Sequence, residues 1–125
     1  MKLKNLLVID DDPAYRGLCA SALGAEYSVS CAEGGEEGVE SCRRTLPDVV
    51  LLDLRMPRVD GLSVLRALAA DPATSGVPVV VFSASWLDAA TRAALDGLVN
   101  VRGRLDKLDR LTRVREALLA ARGAN

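Results

Sequence analysis

The sequence predicts an α/β fold in which a parallel β-sheet is covered by helices on both faces. Two continuous apolar runs support this prediction, because Leu6–Ile9 is followed by three aspartates and Val49–Leu52 is followed by Asp53. Short apolar runs bounded by turn signals are typical of strands buried on both faces, as in parallel sheets. Five predicted strands also alternate with five predicted helices along the chain, which favours parallel pairing.

The first strand and the first helix have the clearest local signals. The strand is predicted at Asn5–Ile9. Asp12 can then cap the helix with its side chain, and Pro13 suits the first helical position, where a missing N–H costs nothing. The helix has one apolar face with spacing i, i+3, i+4 and i+7, formed by Tyr15, Leu18, Cys19 and Ala22.

The middle elements are shorter and are separated by turn residues. A second strand is predicted at Tyr27–Cys31 and a third at Asp48–Asp53. The helix between them, Gly35–Arg44, has a weak signal because Gly35 and Gly38 lower its helix propensity.

The second half of the chain repeats the alternation. Pro57 and Gly61 mark a loop before the next helix. The last strand has the weakest pattern of the five. In order, the predicted elements are a helix at Leu62–Ala70, a strand at Val77–Phe82, a helix at Leu87–Asp96, a strand near Val99–Gly103 and a helix at Lys107–Arg122.

Composition restricts the class of protein. At 125 residues, half of them apolar, the chain suits one domain covering residues 1–125, with no output domain. No apolar stretch approaches the ~18 residues that span a bilayer, and the N-terminus lacks a signal-peptide pattern. The odd number of cysteines, three, favours reduced thiols. We therefore expect a cytoplasmic protein without membrane contact.

The charged residues exclude further classes. The chain has no histidine, which excludes a histidine-dependent catalytic triad and metal binding by imidazole. Any phosphohistidine in its chemistry must therefore belong to a partner. The 16 basic residues are balanced by 17 acidic ones, whereas a nucleic-acid-binding domain is usually strongly basic. We expect no direct contact with nucleic acid.

The acids at two strand ends are candidate functional residues. If the first and third strands are neighbours, Asp10, Asp11 and Asp53 meet at the edge of the sheet where open α/β folds bind ligands. Clustered carboxylates repel one another, and a hard cation such as Mg²⁺ usually holds them together. Asp12 is better explained as a helix cap, since Pro13 follows it.

Three segments, in this order, resemble the receiver domain of two-component response regulators, particularly the stand-alone, chemotaxis-type members. They are Val-Ile-Asp-Asp-Asp-Pro at 8–13, Leu-Asp-Leu-Arg-Met-Pro at 52–57 with Asp60 and Gly61 after it, and Val-Phe-Ser-Ala at 81–84. The resemblance covers essentially the whole chain. It implies a single-domain, doubly wound (βα)5 fold of the flavodoxin-like type, a three-layer sandwich around a five-stranded parallel sheet.

The resemblance also implies a role for each site residue. Asp53 is expected to be the phosphoacceptor. Ser83 is expected to hydrogen-bond a phosphoryl oxygen, and the small Ala84 to keep the approach to Asp53 open. The implied Mg²⁺ ligands are Asp10, Asp11, Asp53 and the backbone carbonyl of Arg55.

One feature of the family is missing. Its members have a Lys-Pro pair at the end of the fifth strand, where the ammonium contacts the phosphoryl group, and this chain has no Lys-Pro. Counting from Gly97 places Arg104 at that position, with Lys107 as the alternative if the register slides. The aromatic switch residue of the family is also missing, since Val101 or Arg102 falls at its position.

The resemblance implies a response regulator that accepts a phosphoryl group from a histidine kinase or a histidine phosphotransfer protein. It would then act on a downstream protein target, as a monomer or weak dimer. The alternative is a degenerate receiver that binds a partner without phosphorylation, which the missing Lys-Pro favours and the intact acids oppose. An aspartate-nucleophile phosphatase is disfavoured, because Ala14 stands where such an enzyme needs a hydroxyl or branched residue.

Overall fold

Five strands alternate with five helices, as predicted. The computed structural model describes residues 3–56, 60–83, 88–106, 109 and 111–123. In order, the elements are β1 (Lys4–Ile9), α1 (Pro13–Leu23), β2 (Tyr27–Ala32), α2 (Gly35–Thr45), β3 (Val49–Asp53), α3 (Gly61–Ala70), β4 (Val79–Ser83), α4 (Ala89–Asp96), β5 (Val101–Asp106) and α5 (Leu111–Ala121).

All five strands pair in parallel, in the order β2-β1-β3-β4-β5. β1 lies beside β3, with Ile9 opposite Leu52. β4 lies on the other side of β3, with Phe82 opposite Asp53. The carboxyl ends of these three central strands therefore lie side by side at one edge of the sheet.

Each face of the sheet is covered by its own apolar core. Helices α1 and α5 pack on one face, and α2, α3 and α4 pack on the other. Residues of one strand alternate between the two cores, so that Val8 faces the first and Ile9 faces the second. Burial on both faces explains why β1, β3 and β4 are continuous apolar runs. The predicted doubly wound, three-layer sandwich is confirmed.

Helix α1 begins as predicted but buries a narrower face. Asp12 is the N-cap, its side chain accepts a hydrogen bond from the N–H of Ala14, and Pro13 is the first helical residue. The buried residues are Cys19 and Leu23, whereas 48% of Leu18 is exposed. The prediction for Leu18 is therefore wrong. The two buried residues of α1 are four positions apart and lie on one side of the helix. Leu18 lies about 100° around the helix axis from Cys19, and its side chain therefore points away from the core.

One of the two glycines that lower the helix propensity of α2, Gly38, has a packing role. Gly38 is buried, and a Cβ atom there would lie 2.7 Å from Cδ1 of Ile9 on β1. Helix α2 therefore approaches the sheet more closely than any side chain would permit. Tertiary packing offsets the propensity cost of about 1 kcal/mol that glycine imposes in a helix.

Strand β5 begins two residues and ends three residues later than predicted. It is an edge strand with exposed Arg102 and Arg104, so no continuous apolar run marks it in the sequence. An irregularity in its pairing with β4 places Val101 opposite Val79 but Gly103 opposite Val80. The other boundaries that can be compared differ by two residues or fewer, whereas the predicted starts of α4 at Leu87 and of α5 at Lys107 lie outside the described residues.

All three cysteines are free, which agrees with the expectation from their odd number. Cys19 and Cys42 are buried, one in each core. Burial raises the pKa of the Cys42 thiol to about 11, with a smaller contribution from the charge of Asp71. The thiol of Cys42 is therefore neutral at pH 7 and acts as a small apolar side chain.

Leu46, at the C-terminus of α2, is a position where substitution should stabilise the fold. Its φ is 46° and its ψ is 66°, a left-handed conformation that glycine adopts without steric cost. The side chain is half exposed, so little burial is lost. We expect Leu46→Gly to raise the free energy of unfolding by about 0.5–1 kcal/mol, measured by urea denaturation.

Leu46→Ala is the matched control for this prediction. It also removes the leucine side chain but keeps the Cβ atom that crowds the left-handed conformation. We expect it to be no more stable than the wild type. Equal stabilisation by both substitutions would show that the leucine side chain, and not the backbone conformation, limits stability here.

Candidate functional site

Three carboxylates meet at the carboxyl edge of the sheet. Asp10 and Asp11 directly follow β1, and Asp53 is the last residue of β3. One carboxylate oxygen from each residue lies within 4.8 Å of those of the other two. Asp10 and Asp53 are almost fully buried, with exposures of 0% and 3%, whereas Asp11 is exposed. The cluster thus has a buried base and one side open to solvent.

The backbone around Asp10 is held on both sides. Its N–H donates to the carbonyl of Ala32 at 3.1 Å, which extends the pairing of β1 with β2. Its carbonyl accepts a hydrogen bond from Nη1 of Arg16 on α1 at 2.7 Å. Its carboxylate oxygen Oδ1 accepts one from the N–H of Asp12 at 2.9 Å. These contacts orient Asp10 at the start of the turn into α1.

The chain after β3 folds back over Asp53. The N–H of Arg55 donates to Oδ1 of Asp53 at 2.9 Å, so the Arg55 backbone lies beside the carboxylate. Gly61, the first residue of α3, is buried against this turn. A Cβ atom on Gly61 would lie 2.5 Å from Cα of Leu54 and 2.8 Å from the carbonyl oxygen of Asp53. Glycine is therefore needed for α3 to begin this close to the site.

Ser83 ends β4 beside the acidic cluster. It is 5% exposed and follows Phe82, which pairs with Asp53 across the two strands. The N–H of Leu54 donates to the carbonyl of Phe82 at 3.0 Å, which fixes the register of the two strand ends. Ser83 therefore stands one residue beyond the level of Asp53. The next predicted site residue, Ala84, lies outside the described residues.

Arg104 does not lie with the acids, although sequence counting places it at the family's lysine position. Its guanidinium pairs with the carboxylate of Asp96 at the end of α4. In the sheet it stands opposite Val81, whereas Ser83 stands opposite Asp106. If Arg104 replaced the family's lysine, its guanidinium would be expected to pair with Asp53 at rest; it pairs with Asp96 instead, and an irregularity in the β4–β5 pairing shifts its register. Lys107, the alternative, follows Asp106 and lies outside the described residues.

The donor set of the cluster suits a hard cation. Asp10, Asp11 and Asp53 provide carboxylate oxygens, with no imidazole or thiolate group among the three residues. Mg²⁺ prefers oxygen ligands in octahedral geometry and keeps several waters, which the exposed side at Asp11 can admit. Two buried carboxylates this close repel each other strongly in a medium of low dielectric constant, and a divalent cation removes that cost.

Two aromatic rings next to the site stack on each other, a contact that the sequence did not predict. The rings of Tyr15 on α1 and Phe82 on β4 stack with centroids 4.9 Å apart. Burial raises the pKa of the Tyr15 phenol above its ordinary value, and the charges of Cys19 and Asp10 raise it further. The phenol is therefore neutral at pH 7 and adds no charge to the acidic cluster. The apolar spacing of α1 predicts that Tyr15 faces the sheet, but not which ring it meets.

A parallel α/β sandwich with three clustered carboxylates at the ends of β1 and β3 has the fold and the acidic pocket of a receiver domain. The chain belongs to the response regulator receiver domain family, whose model matches residues 6–117. Receiver domains are signalling modules of two-component systems, which take phosphate from histidine kinases and pass the signal to targets. The acids of the site are present and close together in the described part of the chain, which argues against the degenerate alternative.

Curated relatives carry this domain within much longer proteins. Response regulator PleD of Caulobacter vibrioides is 44% identical over 80 residues, which cover 63% of this chain and 18% of that protein. The gliding motility regulatory protein of Myxococcus xanthus is 34% identical over 123 residues, which cover 89% of this chain and 16% of that protein. The chain thus spans less than a fifth of the length of either relative.

Solved structures share the fold over nearly the whole chain. The N-terminal domain of a response regulator receiver protein from Methanoculleus marisnigri JR1 is 29% identical, with a TM-score of 0.77, and covers 94% of this chain and 95% of that one. The receiver domain of sensor histidine kinase PA1611 from Pseudomonas aeruginosa PAO1, with magnesium coordinated in its active site cleft, is 24% identical, with a TM-score of 0.86 and coverages of 98% and 99%.

Proposed function

We propose that this chain accepts a phosphoryl group on Asp53, in a Mg²⁺-dependent reaction, from the phosphohistidine of a histidine kinase or histidine phosphotransfer protein. The single observation that supports this most strongly is the position of Asp53. It is buried at a strand end, and its carboxylate lies within 4.8 Å of those of Asp10 and Asp11. The partner must supply the histidine, because this chain has none.

The transfer step follows from the chemistry of the two groups. A carboxylate oxygen of Asp53 attacks phosphorus, an O–P bond forms, and the N–P bond of the donor breaks. The imidazole nitrogen of the partner keeps the electron pair, and Asp53 becomes an acyl phosphate. The N–H of Arg55 holds Oδ1 of Asp53 at 2.9 Å, which restricts the carboxylate rotamer before the attack.

We assign the metal ligands to Asp10, Asp11, Asp53 and the backbone carbonyl of Arg55. Mg²⁺ held by these groups would neutralise the negative charge that collects on the phosphoryl oxygens during transfer. The donor chemistry of the cluster supports this assignment, as does the magnesium ion in the PA1611 receiver domain. The Arg55 backbone lies beside Asp53, as the hydrogen bond from its N–H shows.

Ser83 and a cation from the end of β5 complete the proposed phosphoryl site. The Ser83 hydroxyl donates to a phosphoryl oxygen, with the small Ala84 leaving the approach open. Lys107 is our assignment for the cation, since it directly follows Asp106, the residue paired with Ser83. The pairing of Arg104 with Asp96 argues against the other candidate.

The proposed protein is a switch and not a turnover enzyme. It catalyses its own phosphorylation and dephosphorylation and then acts on a downstream protein by direct contact, as a monomer or weak dimer. We propose a cytoplasmic location, where histidine kinases present their phosphohistidine. Among the described helices, none combines the length and apolar character that crossing a membrane requires.

Incubation with acetyl phosphate and Mg²⁺ tests the proposed function without a partner. We expect the intact mass of the wild-type chain to increase by one phosphoryl group. The increase should disappear when the Mg²⁺ is chelated with EDTA, because the clustered carboxylates then lack their counter-charge. A chain that remains unmodified across the full range of donor concentrations would contradict the proposal.

A further inference from the structure

We propose that Arg16 is a positioning residue for the metal site, which sets Mg²⁺ affinity through the backbone of Asp10. This inference rests on the proposed function, and it concerns a residue that touches neither the metal nor the phosphoryl group. Arg16 lies on α1, one turn after the cap Asp12, and its side chain is 15% exposed. A long charged side chain this deeply buried requires specific partners.

The strong contact of Arg16 is with the site itself. Its Nη1 donates to the carbonyl of Asp10 at 2.7 Å, a short distance that is typical of a charge-assisted hydrogen bond. Asp10 is also held by two other hydrogen bonds. Its N–H donates to the carbonyl of Ala32, and its carboxylate accepts from the N–H of Asp12. Arg16 thus adds a further restraint on Asp10, and it connects the end of β1 to the body of α1.

The second contact of Arg16 is weaker. Its Nη2 lies 3.5 Å from Oε1 of Glu33, a side chain that is 75% exposed. Exposed pairs of this kind contribute little. We therefore assign the positioning effect to the hydrogen bond between Arg16 and the Asp10 carbonyl. Glu33 is only an auxiliary partner of the guanidinium.

Positioning and charge predict opposite results when Arg16 is neutralised. A positive charge next to three carboxylates opposes the binding of a cation, so removal of the charge alone would strengthen Mg²⁺ binding. Loss of the restraint on Asp10 has the reverse effect, because a metal ligand that is no longer held must be ordered when the ion binds. Groups that support metal ligands typically contribute about 10- to 100-fold in metal affinity.

Arg115 provides a matched control. Its guanidinium also connects a backbone carbonyl, that of Ala22 at 2.8 Å, with an exposed glutamate, Glu26 at 2.6 Å. These contacts join α5 to the C-terminal end of α1 and to the segment that follows it, at the opposite end of α1 from the acidic cluster. Arg16→Met and Arg115→Met therefore remove the same kind of bridge, and only the first one is connected to the metal site.

The test is a calorimetric titration with Mg²⁺ alone, at a temperature where each variant is folded by circular dichroism. We expect Arg16→Met to weaken Mg²⁺ binding by about tenfold, and Arg115→Met to leave it unchanged. Arg16→Lys, which keeps a donor for the Asp10 carbonyl, should recover most of the affinity.

Three results would overturn the inference. Arg16→Met could bind Mg²⁺ as tightly as the wild type, which would make Arg16 purely structural. It could bind more tightly, which would mean that its charge alone matters. Arg115→Met could weaken binding equally, which would indicate a general loss of packing. A wild-type chain that binds no Mg²⁺ would instead contradict the proposed function, and the inference with it.

Discussion

Asp53→Asn is expected to abolish phosphoryl uptake from acetyl phosphate, while the wild type gains one phosphoryl group. An amide is too weak a nucleophile to replace the carboxylate, and loss of a nucleophile costs roughly a thousandfold or more in rate. Asparagine has the shape of aspartate, and its side-chain oxygen can still accept the hydrogen bond from the N–H of Arg55. The fold should therefore survive, and intact-mass spectrometry over a time course measures the loss.

Asp96→Asn is the control for this prediction. It makes the same chemical change at the exposed end of α4, where the carboxylate pairs with Arg104. We expect the uptake of this variant to match that of the wild type. An adduct that persists in Asp53→Asn would contradict the assignment, and peptide mapping of that adduct would show whether Asp10 or Asp11 carries the group instead.

Lys107→Ala is expected to weaken Mg²⁺-dependent binding of beryllofluoride, a phosphoryl mimic, far more than Arg104→Ala does. A charge-assisted contact is worth about 1.5–3 kcal/mol, which corresponds to a loss of roughly tenfold to a hundredfold. Arg104→Ala should change the affinity for the mimic by less than about twofold. The Arg104 guanidinium pairs with the carboxylate of Asp96, and removing an exposed ion pair costs little. Fluorine NMR of the bound mimic measures both affinities.

A larger loss of affinity in Arg104→Ala than in Lys107→Ala would assign the phosphoryl contact to Arg104. The Arg104 guanidinium would then have to leave Asp96 when the mimic binds. Wild-type affinity in both variants would show that the end of β5 takes no part in the site. In that case Ser83 and the metal ligands would have to hold the phosphoryl group without a side-chain cation from this strand.

Several features of the fold are encoded locally and could be predicted from the sequence. The apolar runs of β1, β3 and β4 indicate strands buried on both faces, because each residue contributes to one of two cores. Asp12 and Pro13 mark the start of α1 through a cap and a fixed φ, which depend on adjacent residues. The candidate acids could be predicted for the same reason, since Asp10 and Asp53 directly follow apolar runs and Asp11 is next to Asp10.

Other features depend on which elements become neighbours, and tertiary structure decided these. The order β2-β1-β3-β4-β5 brings Asp53 to Asp10, although 43 positions separate them in the sequence. The register of β5 on β4 places Asp106 beside Ser83, whereas Arg104 pairs with Asp96 on α4. The irregularity in the β4–β5 pairing that sets this register cannot be recognised in the local sequence.

Glycine and arginine show the same division between local and tertiary information. The sequence places Gly38 and Gly61 in or beside helices, where they are unfavourable or neutral by propensity. Only packing against Ile9 and against the turn after Asp53 explains why a larger residue would not fit. Arg16 lies on a helix that the sequence predicts, but its bond to the Asp10 carbonyl depends on the angle at which α1 leaves β1. Local sequence therefore determined the elements and the chemical groups of this protein, whereas contacts between distant residues determined which of those groups meet.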